Sequence, residues 1–121
     1  MPQPFKRADR VGEQIQRALS ELLRREVKDP RVGGVVVTVV RVSADLRHAH
    51  VRFTCGSDQA RQAEALAGLL SAAGYLRGRL GRSLHLRYAP DLSFALDDSV
   101  DYSLRIAALL KQVGQPEAEG D

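Results

Sequence analysis

The stretch EALAGLLSAAGYLRGRLGRSLHLRYAPD, Glu64 to Asp91, decides the fold. Acids stand at its two ends. Between them come four arginines, Arg77, Arg79, Arg82 and Arg87, and no carboxylate. Its first part continues a helical pattern that starts near Asp58, with Ala63, Leu66, Leu69 and Leu70 as the expected buried side. Ser57 or Asp58 is placed to cap that helix, where an acceptor side chain and negative charge are favourable. Ala72-Ala73-Gly74 then interrupts the pattern. A small residue followed two positions later by glycine permits a sharp turn between closely packed helices. A second, short helix is expected from Tyr75 to about Leu80, with Leu76 and Leu80 inward, Arg77, Arg79 and Arg82 on its flank, and Gly81 as its C-terminal cap. SLHLRY follows, alternating Leu84, Leu86 and Tyr88 with His85 and Arg87, and reads as a strand ended by Pro90.

Upstream, Val11, Ile15, Leu19 and Leu22 recur at helical spacing and predict a first helix over residues 7–27. At ~100° per residue, Arg10, Arg17 and Arg24 stack on its opposite side. Glu13–Arg17 and Glu21–Arg25 have the favourable order for i,i+4 pairs. KDPRVGG, Lys28 to Gly34, ends the helix, because Pro30 restricts Asp29 to extended backbone. VVVTVVRV, Val35 to Val42, is β-branched and apolar on both faces, which suits an interior strand. A short SADL connection leads to a strand over Arg47–Thr54, where Ala49, Val51 and Phe53 alternate with His48, His50 and Arg52. The two strands form an antiparallel hairpin. Downstream of Pro90, DLSFALDDSV leads to a last helix near Ser99–Gln112.

Size and charge narrow the class. A chain of 121 residues buries roughly two-thirds of its unfolded surface as a single domain. Residues 1–113 are expected to form that domain, and the acidic GQPEAEGD, 114–121, a disordered tail. The whole chain carries a net charge of +3, but without the tail there are 18 bases against 12 acids, a net of +6. A basic body fits a polyanionic partner. Cys55 is the single cysteine, so no disulfide closes within the chain, and with three scattered histidines it makes no zinc site. No apolar run approaches the ~20 residues of a membrane span. The expectation is a soluble cytoplasmic protein with no cofactor and no metal.

Enzymatic motifs are weak. Asp97-Asp98 stands where acids cap a helix, His48 and His50 have no third ligand beside them in sequence, and Cys55 has no evident base. VGGVVV precedes a strand, the reverse of a phosphate-binding loop. GRLG, Gly78 to Gly81, matches the GxxG clamp of KH domains, but only Arg82 separates it from the expected strand, so no second helix fits behind it. What the residues offer is a phosphate-friendly face. Guanidinium groups make bidentate phosphate contacts, and an acid among them would compete.

KDPRVG, VSADLRHAHVRF, AAGYLRGRLGRSLHLRYAPDLSF and LDDS together resemble ribosome-binding factor A, a family of bacterial small-subunit assembly factors, over residues 4–112. The resemblance implies an α+β, type II KH-like fold of order α-β-β-α-α-β, with a three-stranded sheet and a C-terminal helix. In that family an Ala-x-Gly interhelical kink, matched here by Ala72, Ala73 and Gly74, replaces the clamp. It further implies a non-catalytic, monomeric protein that binds 16S rRNA in the immature 30S subunit, works beside other assembly factors, supports 16S 5′-end processing and serves growth in the cold. On that reading Lys6, Arg7, Arg10, Arg17, Arg77, Arg79, Arg82 and Arg87 contact the RNA. A general single-stranded nucleic-acid binder on the same surface is the alternative.

Overall fold

The computed structural model describes residues 7–97. Helix α1 spans Arg7–Arg25, and a single 3-10 turn covers Pro30–Val32. Strands β1, Val36–Val42, and β2, His48–Thr54, form an antiparallel hairpin. Helix α2, Gln59–Ser83, crosses back to strand β3, Asp91–Leu96, which pairs parallel to β2. A parallel neighbour requires such a long crossover, and α2 supplies it. The expected helix at 99–112, the tail at 114–121, Asp98 and Lys6 lie outside the described residues.

One core joins the layers. Val11, Ile15, Leu19, Leu22 and Leu23 of α1 meet Val37, Val40, Ala49, Val51 and Phe53 of the hairpin, and Ala65, Leu69, Leu76 and Leu80 of α2. The α1 stripe and the β2 alternation are as the sequence predicts. Gly12 sets the approach of α1 to β1: a Cβ there would lie 2.7 Å from the carbonyl oxygen of Val40. Gly68 does the same for α2, where a Cβ would meet Arg31 and Val32 side-chain atoms at 2.9 Å. The face of the sheet opposite the helices presents Arg41, His48, His50 and Arg52, all exposed.

Four expectations change. The α-α pair is one unbroken helix, with Ala72, Ala73 and Gly74 inside it. The reason is the phase of the buried stripe: Ala65, Leu69, Leu76 and Leu80 continue one face straight through Gly74, and that burial outweighs the ~1 kcal/mol a mid-helix glycine costs. A Cβ on Gly74 would meet nothing within 4 Å, and Ala63 and Leu70, expected inward, are exposed.

The expected strand SLHLRY is instead the end of α2 and a turn. Leu84 caps the helix, His85 takes a left-handed φ of 54°, its N–H reaches Arg82 O, and Leu86 N–H reaches Gly81 O at 3.0 Å. That is a Schellman closure in which histidine holds the position glycine usually fills. Gly81 is therefore not the cap. It lies inside the helix, where a Cβ would sit 3.3 Å from that of Ala89.

The third strand is DLSFAL, whose Leu92, Phe94 and Leu96 are half-buried while Asp91, Ser93 and Ala95 are exposed. Pro90 precedes it rather than ending a strand. Finally, β1 is an edge strand and β2 the interior one, because β3 takes the other edge of β2. Val36 is accordingly 58% exposed.

Candidate RNA-binding face

The KDPRVGG segment is tied down before any surface is built. Asp29 Oδ1 accepts from Arg31 N–H at 2.9 Å, and its carboxylate receives the Arg31 guanidinium at 2.7 Å. These hydrogen bonds hold the Asp29 carboxyl below its ordinary range. Arg61, from α2, donates to the carbonyls of Arg31, at 2.7 Å, and Gly33. Asp58 caps α2 as expected, accepting from Ala60 N–H at 2.9 Å and from Arg61 N–H.

The acid-free stretch meets acids from elsewhere in the chain. Arg77 donates to Pro90 O at 3.0 Å and Ala89 O at 3.1 Å, with Asp91 Oδ1 at 3.4 Å. It thereby clamps α2 to the start of β3. Arg79 pairs with Glu26 at 3.0 Å, just beyond α1, and the Tyr75 hydroxyl donates to the same carboxylate at 2.5 Å. That hydrogen bond pushes the Tyr75 phenol above its ordinary pKa. Two of the four arginines singled out in the sequence are thus engaged within the protein, and both partners, Glu26 and Asp91, lie outside the run of residues 65–90. Sequence separations of 53 for Arg79 and 14 for Arg77 kept these pairings out of any local pattern.

Arg82 and Arg87 have a different environment. Both are exposed and, among the described residues, neither meets a carboxylate. The same holds for Arg7, Arg10 and Arg17 of α1; the expected Glu13–Arg17 pair does not form, whereas Glu21 pairs with Arg25 at 2.5 Å and also holds Arg24. The elements carrying these free arginines are neighbours. Glu26, past the end of α1, bridges to Tyr75 and Arg79, while Arg7 at its start shares a recess with Leu86, Arg87 and Tyr88. The segment 75–88 therefore runs alongside α1, and Arg87 comes to the same recess as Arg7.

Asp97, His48 and His50, considered for enzymatic chemistry, each have a partner within the sheet. Asp97 is buried, accepts from the Thr38 hydroxyl at 2.6 Å, and its backbone N–H bonds Phe53 O, so it links the ends of all three strands. His50 Nδ1 is 2.8 Å from Ser93 Oγ, and His48 Nδ1 is 3.8 Å from Asp91. Among the described residues no three of His, Cys, Asp and Glu gather in a group that could hold a metal ion, and no helix is long and apolar enough to cross a membrane. GRLG lies within the unbroken α2, not between two helices.

Comparison with known proteins agrees with this architecture. The sequence model of ribosome-binding factor A matches residues 7–110. A ribosome-binding factor A of Thioalkalivibrio sulfidiphilus is 48% identical over 98% of this chain and 93% of its own. The chain belongs to the ribosome-binding factor A family. A second relative of that name, from Geobacter metallireducens, is 44% identical over 97% of this chain and 99% of its own. Among solved structures, ribosome-binding factor A of Thermus thermophilus superposes with a TM-score of 0.69 at 26% identity, covering 78% of this chain and 100% of that one. A homology model of the Thermus thermophilus factor, fitted into an electron cryo-microscopy map of its complex with the 30S subunit, has a TM-score of 0.61 at 28% identity, covering 73% of this chain and 92% of that one. The α+β, KH-like fold with its three-stranded sheet is therefore a family property, realised here with the central helices fused.

Proposed function

We propose that this protein is an assembly factor of the small ribosomal subunit. It docks on 16S rRNA in the immature 30S particle and favours an RNA arrangement from which maturation, including 5′-end processing, proceeds. The observation that carries the reading is the 30S complex into which a relative of the same fold was fitted. The exposed arginines give it a physical basis. Arg7, Arg10, Arg17, Arg82 and Arg87, with Lys6 from the sequence, are the docking residues, while Arg77 and Arg79 tie α2 to β3 and to the end of α1.

The action is conformational and needs no covalent step. A bound protein shifts an RNA equilibrium only by its differential affinity for the two arrangements, so it must hold the immature one more tightly than the mature one. It works as a monomer in the cytoplasm, in company with other assembly factors, and its contribution is greatest in the cold, where misfolded RNA helices rearrange slowly.

Sedimentation of cell extract tests this. The protein is expected to comigrate with free 30S particles and to be absent from 70S ribosomes and polysomes. The triple variant R10E/R17E/R82E should fold normally and stay at the top of the gradient. An even spread over all RNA would favour the general single-stranded binder, and a triple variant that still rides with 30S would remove this face from the mechanism.

A further inference from the structure

The strand pattern of SLHLRY favours a core position for Tyr88 over a base-stacking one. Tyr88 is instead 48% exposed, and its hydroxyl bonds nothing among the described residues. It lines a recess of about 140 Å³ with Arg7, Asp45, Leu46, Leu86 and Arg87. Three separate parts of the chain meet there: the first turn of α1, the β1–β2 turn, and the segment after α2.

We infer that this recess takes one unpaired nucleobase of an RNA strand, stacked on Tyr88, with the flanking phosphates on Arg7 and Arg87. The inference rests on the RNA-binding reading above and adds a base contact to a face otherwise made for phosphates.

The lining offers both halves of a nucleotide a partner. Tyr88, Leu46 and Leu86 supply the aromatic and apolar surface that a planar base requires. Arg7 and Arg87 supply guanidinium groups without carboxylate partners among the described residues. Asp45 disfavours a phosphate beside it. Its Oδ1 already accepts from the Ser43 hydroxyl at 2.6 Å and from Arg47 N–H at 3.0 Å, which hold the carboxyl below its ordinary range and thus ionised at neutral pH. Its Oδ2 accepts nothing among the described residues and is left for a base N–H.

The ring itself is held in place. The Arg47 guanidinium lies 4.2 Å from its centroid and Arg87 lies 5.6 Å away. Arg47 is not among the residues lining the recess, and its cation–π contact fixes the ring. Turn geometry presets the rest, since Leu46 (φ 63°) and His85 (φ 54°) both take left-handed backbone that turns the chain at the two walls.

The test uses the full chain and fluorescence anisotropy with a labelled single-stranded oligoadenylate, the same strand with abasic sites, and free AMP. Tyr88→Leu should weaken binding of the intact strand about 5- to 150-fold, the range of one lost stacking contact. Tyr88→Phe should bind like the parent. The abasic strand should bind the parent weakly and lose nothing further with Tyr88→Leu, because the two changes remove the same contact. The salt dependence should be the same for parent and Tyr88→Leu, since no phosphate contact is lost.

Equal affinity of the parent for intact and abasic strands would overturn the inference, whether or not the leucine variant folds. So would wild-type affinity in a folded Tyr88→Leu protein, or AMP binding as tightly as the strand. The two readings fail separately: 30S docking falls if the parent spreads evenly over all RNA in the gradient, and the base recess falls with the oligoadenylate.

Discussion

Replacing Arg77 by methionine separates the two kinds of arginine in this protein. Methionine keeps the length and apolar body of the side chain and removes the guanidinium. Lost with it are the hydrogen bonds to Pro90 O and Ala89 O, at 3.0 and 3.1 Å, and the contact with Asp91 at 3.4 Å. Hydrogen bonds from a charged donor contribute ~1.5–3 kcal/mol each when well shielded. Here the Arg77 side chain is 42% exposed, so water takes up part of what the two carbonyls lose. Asp91 is 65% exposed, and such a surface pair contributes about 0–1 kcal/mol. The net cost is then about 2 kcal/mol. At the ~2.1 cal/mol/K per residue typical of unfolding, a chain of 121 residues loses about 4 °C per kcal/mol, which places the fall in melting temperature at roughly 8 °C. Thermal unfolding followed by circular dichroism measures it. Below its melting range, R77M should bind 30S particles within about twofold of the parent, a difference of under half a kcal/mol. An unchanged melting temperature together with lost binding would refute the reasoning and return Arg77 to the RNA-contacting set.

Two further outcomes follow from the packing and the turns. Gly12→Ala gains ~1 kcal/mol of helix propensity but puts a Cβ 2.7 Å from a backbone carbonyl that cannot swing away, so overpacking of ~1–3 kcal/mol wins. Its melting temperature should fall by several degrees, and a rise would show that α1 can back away from β1 freely. Asp29 and Asp45 both have depressed folded-state pKa values, from hydrogen bonds with Arg31 and with Ser43 and Arg47 N–H respectively. Their contribution is present above the unfolded carboxylate pKa of ~3.9 and is lost as pH falls through the folded values. D29N/D45N should therefore lower stability at neutral pH and flatten the acid limb of the stability–pH curve below about pH 4, read by denaturant titration at each pH. An acid limb as steep as the parent's would contradict this.

The local patterns that served well in the sequence were those set by one element and one neighbour. The α1 stripe, the β2 alternation and the Asp58 cap needed only 3.6- and 2-residue periods and one acceptor side chain. The failures depended on packing, pairing or backbone geometry that a short window of sequence does not carry. Gly74 looked like a break because a glycine and a run of small residues weaken a helix locally, whereas the stripe through Leu69, Leu76 and Leu80 decides otherwise. SLHLRY alternates as a strand would, yet DLSFAL takes the open edge of β2 and SLHLRY closes the end of α2. Its turn was hidden because histidine, not glycine, occupies the left-handed position. At the candidate site, the charge of Arg82 and Arg87 was legible from composition, but the carboxylates that capture Arg77 and Arg79 belong to α1's exit and to β3. At the recess the sequence offered Tyr88 as an aromatic able to stack on a base, but not its other walls, since these come from residues 7, 45–46 and 86–87.

The central claim, that unpaired arginines dock this protein on ribosomal RNA, is tested most directly by the salt dependence of its affinity for purified 30S particles. Release of counterions from the phosphates met by five arginines predicts a log–log slope of about −3.5 to −4.5 between roughly 50 and 200 mM monovalent salt. In R10E/R17E/R82E that slope should collapse towards zero. A parent affinity that stays flat across the salt range would contradict the account.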